Sequence, residues 1–338
     1  MNNKFSVFGL NIEQTEVLFA LQRKITSNDA ACENKKKPIF GSNKAGVKRL
    51  WLAAWKESIE LYIQNLGGTE GQINLPDMEL RQKIAELDKT TQNTVWKYMV
   101  LLECVLYHPY YPIDQDKEAY KPFKGLSLDK KSRKESLLAI ADLLGVDSKY
   151  INIFEKSHSK AIKSLSGYWT KVFAGAVIGI VVIFIAICTF QYEIVAFFAA
   201  EGLSGAAAIS AGLAALGGGA IAAGGFGMAG GLAVLIGGGA LLGSSAGTAV
   251  GMSVASLGAN AVMSEAAKLQ VVLKEIVLAI QKDTDYFQKI LMNISGQIKL
   301  LNDEIIKLRV ESEKNKKKIK NLEESVNILE KLIKTAGN

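Results

Sequence analysis

The sequence predicts an all-α protein, and three observations carry that prediction. Prolines number only five in 338 residues. Apolar residues at both ends recur every third or fourth position rather than alternating, the helical period rather than the strand period. Charge is crowded into the two ends, and the stretch from Val172 to Ser264 holds only Glu193 and Glu201. The chain therefore divides into a soluble helical domain (1–168), a hydrophobic glycine-rich block (169–264) and a coiled-coil helix (265–338).

In the first part, Asn11 followed by Gln14 fits a capping box that opens a helix over Ile12–Ile25, with Val17, Leu18 and Leu21 on its apolar stripe. A second helix is expected over Ala45–Leu66 and is ended by Gly67-Gly68. Glu79–Leu87 and Thr94–Tyr107 follow, then a tyrosine- and proline-rich loop over Tyr107–Lys124. Ser127 is read as the cap of Leu128–Leu144, with Gly145 as its left-handed stop. Asp147 caps one more helix, whose stripe is Ile151, Phe154, His158, Ile162 and Leu165. Only one other histidine exists, His108, and no spacing gives either a catalytic or metal-binding partner. Both read as core or boundary residues.

The composition excludes several classes. Cys32, Cys104 and Cys188 form no CxxC pair, so neither a disulfide framework nor a zinc site is expected. Residues 1–30 lack a continuous apolar core of signal-peptide type, which reads as a cytosolic N-terminal domain. The net charge of +7 comes largely from lysine runs without interleaved aromatics, so no nucleic-acid partner is expected.

The middle block reads as membrane-spanning. Val172–Phe190 meets the length of roughly 17–20 apolar residues that a bilayer core requires. Tyr168, Trp169, Lys171 and Tyr192 flank it as interfacial residues do, and the basic residues place its N-terminal end in the cytosol. Gly202–Ser264 holds eighteen glycines and no charge. Gly243, Gly247, Gly251, Ala255 and Ala259 recur every fourth residue, a small-residue ridge suited to membrane helix packing. Glu193 and Glu201 are read as interface or turn residues, with a pore-lining role as the alternative.

Beyond Glu265 the spacing becomes heptad-like. One set of positions is Val277, Thr284, Leu291, Ile298, Ile305, Ser312, Ile319, Val326 and Ile333. The other is Leu273, Ile280, Phe287, Ile294, Leu301, Leu308, Asn315, Leu322 and Leu329. The expected core of the coiled coil is Ile294, Ile298, Leu301, Ile305, Leu308, Ile319, Leu322, Val326 and Leu329. β-branched residues in one set with leucine in the other favour two parallel strands. An intramolecular hairpin is the alternative, breaking at the polar layer of Ser312 and Asn315. An unbroken helix would reach roughly 100 Å.

Motifs of known chemistry fail on context. Gly225–Gly230 has GxGxxG spacing but follows no predicted strand, and Gly243–Gly247 has GxSxG spacing but no histidine after it. Gly41 and Gly46 have P-loop spacing with Val47 where lysine is needed. No catalytic residue, metal ligand or cofactor is assigned.

Ser136–Ser166, containing Leu137–Gly145 and Asp147–Phe154, resembles the helical TerB-like fold. Its passage into a glycine-rich hydrophobic block is similar to a family of transmembrane and coiled-coil proteins that continue into an α/β-hydrolase domain. Here a coiled coil stands in that domain's place, so no hydrolase activity is implied. The layout is also similar to bacterial helical pore-forming toxins and antiphage membrane effectors. That likeness implies an oligomerising effector that permeabilises a membrane, with the lipid bilayer and further copies of itself as partners. It would sit at the cytoplasmic membrane, with a soluble form before insertion as an option. The alternative is a membrane-anchored scaffold or sensor that binds protein partners through its N-terminal domain or coiled coil.

Overall fold

The computed structural model describes residues 10, 12–35, 43–65, 71–91, 94–110, 121–166, 259–311 and 316–336. Every regular element among them is helical. In chain order these are α1 (Ile12–Asn34), α2 (Lys44–Asn65), α3 (Asp77–Thr90), α4 (Val95–Val105), α5 (Lys130–Leu144) and α6 (Lys149–Ser166). Then come α7 (Ala259–Val271), a π-helical segment (Val272–Gln281), α8 (Thr284–Glu311) and α9 (Lys316–Ala336). Short 3₁₀ turns occupy Gln72–Asn74 and Lys121–Phe123.

α1 is the axis of the N-terminal bundle. From Gln14 to Gln22 every residue is buried, so apolar stripes alone do not describe it. It packs on α2, α3, α4 and α5 at once, and needs apolar contact on all sides. Several of its polar residues find partners inside, although the buried Gln22 Oε1 has none among the described residues. Asp29 is fully buried, ion-paired with Lys48 at 2.7 Å and hydrogen-bonded by Tyr110 Oη–H and by the backbone N–H of Asp129. Trp51 stacks on Trp55 and meets Tyr110 edge-on, which fixes α2 over this network. Tyr110 has a left-handed backbone (φ 71°), a conformation costly for a non-glycine residue. Its buried ring and its bond to Asp29 hold it there.

Local signals set the helix limits. Asn43 Oδ1 accepts the Gly46 N–H at 2.9 Å and caps α2. A Cβ on Gly46 would sit 2.4 Å from that same side chain, which explains a glycine that had P-loop spacing. Gly145 closes α5 at φ 65°, as expected from sequence. The cap of α5 differs: Asp129, not Ser127, accepts the N–H groups of Lys131 and Ser132.

The C-terminal region is not one continuous helix. α7 and the π segment end at Lys282, which has φ 58°, and α8 restarts with Asp283 accepting the Tyr286 N–H. α8 and α9 then pack against each other across a four-residue connection, too short for anything but an antiparallel hairpin. Ile294, Leu301, Ile305 and Leu308 of α8 are buried, as are Leu322, Val326 and Leu329 of α9, with Ile298 and Ile319 half-buried beside them. The expected unbroken helix of nine heptads is thus divided into three pieces, and the 265 boundary falls inside α7.

The N- and C-terminal elements share one core. α7 packs on α6 and α9, and the π segment touches α4, α6 and α8. Met263, Ala266, Leu269, Leu273 and Ile276 are buried in the same cluster as Leu102, Phe154 and Leu165.

Among the described residues, no helix is long and apolar enough to cross a membrane. The expectations of transmembrane helices, of pore formation by a toxin or defence effector, and of localisation at a cytoplasmic membrane are corrected on that finding. The physical reason lies in the part of the block that is described, 259–264, where α7 begins and Met263 is buried against other helices of the body. The expected span Val172–Phe190 lies outside the described residues. Gly243, Gly247, Gly251 and Ala255 of the small-residue ridge, together with Glu193 and Glu201, lie outside the described residues. Ala259, the last of the ridge, is the first residue of α7.

Candidate functional site

The most distinctive chemistry lies where α7 meets the N-terminal bundle. Lys268 projects from α7 into the core and gives both carboxylate oxygens of Glu103, on α4, a hydrogen bond at 2.9 and 3.1 Å. Both side chains are only 2% exposed. A buried charge is tolerated only when paired, so this contact fixes α7 against α4 across 165 positions of sequence. Three outer bonds extend the seam. Ser157 of α6 donates to Glu275 at 2.8 Å, and Lys331 of α9 donates to the Leu165 carbonyl at 3.3 Å. Gln270 of α7 donates to Thr335 of α9 at 3.2 Å.

These bonds also give direction. Ser157 meets Glu275, whereas Ser164 lies 3.5 Å from Gln270. Advancing along α6 means retreating along α7, so the two helices are antiparallel. Ser166 and the N-terminal part of α7 therefore lie at the same end of the body. The 92 residues from 167 to 258 leave and re-enter the fold there.

Both histidines of the chain border this seam. Burial, reinforced by Lys268 and then His108, pushes His158 down to about 4, so its imidazole is neutral at pH 7. Burial lowers His108 as well, with Arg133 adding to it. Arg133 reaches the Val105 carbonyl and Glu155, both at 2.7 Å, and ties α5 to α4 and α6. The Cys104 thiol is pushed well up by burial, then by Glu103, which makes it a poor nucleophile. The interior of the seam holds an ion pair satisfied internally and a protonated thiol, with the neutral imidazole of the half-buried His158 beside them and His108 at the surface. Among the described residues no group of three or more His, Cys, Asp or Glu could hold a metal ion.

An open cleft of about 500 Å³ lies between α2 and the Gln72–Asn74 turn, with Arg49, Lys56 and Glu60 on its walls. The Glu60 carboxylate is occupied by the Gly71 N–H and the Asn74 amide. Sequence reasoning assigned no role to Glu103 or Lys268. The available signal was a lone charge of each sign inside an apolar helical run, Val100–Val105 and Ala266–Val272.

The class these features define is an all-helical body among the described residues. Comparison with protein-family models, with curated proteins and with solved structures finds no match to this chain.

Proposed function

We propose that the protein is a non-catalytic assembly scaffold. Its helical body clamps the base of segment 167–258, copies of the protein join through that segment, and the N-terminal bundle is left to bind a further protein partner. The antiparallel packing of α6 on α7, locked by the buried Glu103–Lys268 pair, is the observation that carries this reading. The sequence of the segment supports it: three charges in 92 residues, Lys171, Glu193 and Glu201, leave an apolar surface that demands cover by another molecule. The part of the bundle that resembles a TerB-like fold supplies α5 and α6, the wall to which the clamp is fastened. In the same proposal, the α8–α9 hairpin is a two-stranded intramolecular coiled coil that braces α7.

The test replaces 167–258 with a Gly/Ser linker of about ten residues, long enough to span the offset between the two helix ends. By light scattering at micromolar concentration, the full chain is expected to form particles of higher mass than the linker form. Circular dichroism is expected to show the body still helical. Equal masses for the two forms would refute assembly through the segment, and loss of helix in the linker form would refute the clamp.

A further inference from the structure

Three of the large hydrophobic side chains left in solvent belong to α8: Met292 (71% exposed), Ile306 (60%) and Val310 (84%). At 100° per residue, Met292 and Val310 share one direction and Ile306 lies about 40° away. The positions completing this stripe are Gly296, Lys299 and Asp303, all exposed. It points away from the buried seam that α8 makes with α9.

The order of residues along the stripe is what identifies its occupant. Turn a second α8 antiparallel about a two-fold axis level with Leu301, and Met292 faces Val310, Gly296 faces Ile306, and Lys299 faces Asp303. Each pairing occurs twice, as a two-fold interface requires. A large side chain meets large, the bulky Ile306 meets the one residue with no side chain, and opposite charges meet. Nothing among the described residues explains Gly296, since a Cβ there would meet none of their atoms within 4 Å. Neither Lys299 nor Asp303 makes an ion pair among the described residues.

We propose that α8 is the seat of a homodimer, formed by antiparallel pairing of Met292–Val310 with the same stripe of a second copy over about 27 Å. The Gly296–Ile306 contact sets the close approach, and the Lys299–Asp303 pairs set direction and register. This interface is separate from assembly through residues 167–258, and either can fail without the other.

Register-specific cross-linking of the full chain tests it. Two differently tagged populations, one carrying Met292→Cys and the other Val310→Cys, are mixed and treated with bismaleimidoethane. The mixture is expected to give a mixed-tag dimer above the wild-type background set by Cys32, Cys104 and Cys188. Met292→Cys alone is not, because its two copies lie about 27 Å apart. Adding Lys299→Glu to the first population is expected to cut the product about fivefold. Adding Asp303→Lys to the second then restores it. Gly296→Leu is expected to abolish cross-linking without lowering the melting temperature, since the space above it is open among the described residues. No mixed-tag product above background, equal product from Met292→Cys alone, or indifference to Lys299→Glu would overturn the proposal. Association through 167–258 alone would give that last pattern.

Discussion

Lys268 and Glu103 set the terms at the scale of single residues. Each is buried, so removing one strands the other's charge. Lys268→Met is expected to cost about 3–5 kcal/mol in chemical denaturation, and adding Glu103→Leu to it to recover most of that loss. A double variant no better than the single would mean that packing, not charge, dominates the position. His158 gives a pH signature of defined sign. Its folded value, about 4, lies below the ordinary 6.5, so the unfolded chain binds the proton more tightly. Its neutral form supports the fold above pH 6.5, and that support drains away as the pH falls from 6.5 toward 4. The span corresponds to about 3 kcal/mol. His158→Asn is expected to flatten the fall in melting temperature over that window, leaving the smaller contribution of His108.

At the scale of elements, legibility depended on whether the deciding signal was local. The stop of α5 and the start of α6 were readable because Gly145 and Asp147 act within a few residues of themselves. By contrast, α1 runs nine residues past the expected end at Ile25, to Asn34, with no local stop signal at Ile25. The cap of α5 was misplaced by two residues because Ser127 and Asp129 are both competent, and only tertiary contact chooses. Asp129 is drawn into place by its own N–H bond to the buried Asp29. Asp129→Ala is expected to cost about 1 kcal/mol and Ser127→Ala much less, as measured by thermal melting. The C-terminal region misled in a different way. Its heptad spacing continues through Lys282, so periodicity alone gave one long rod. The interruption carries no glycine or proline, and its one local sign is Asp283, placed to cap the helix that follows. The seam between α4 and α7 was beyond any periodic argument, since it joins residues 165 positions apart.

For the molecule as a whole, the apolar middle of the sequence was the feature most heavily weighted, and it led to a membrane reading that the described helices do not carry. What the fold adds is that the segments on either side of it are partners. Closing a loop of 92 residues costs entropy that grows with the logarithm of its length. A ten-residue linker in its place is expected to stabilise the body by about 2 kcal/mol, read as an increase in the denaturation midpoint. No increase would indicate that the native segment itself contributes contacts that offset its length.

The antiparallel seating of α7 on α6 has a consequence for the order of events on the ribosome. α1 to α6 can assemble as soon as they emerge, but α7 to α9 are made only after the whole apolar stretch. At about 5–20 residues per second, roughly 10–30 s separate the completion of α6 from that of α9. In the later part of that interval the stretch has been made and is emerging from the tunnel or outside it while its anchor is still incomplete. Whatever shelters it in the cell has its best opportunity then, while translation is still under way.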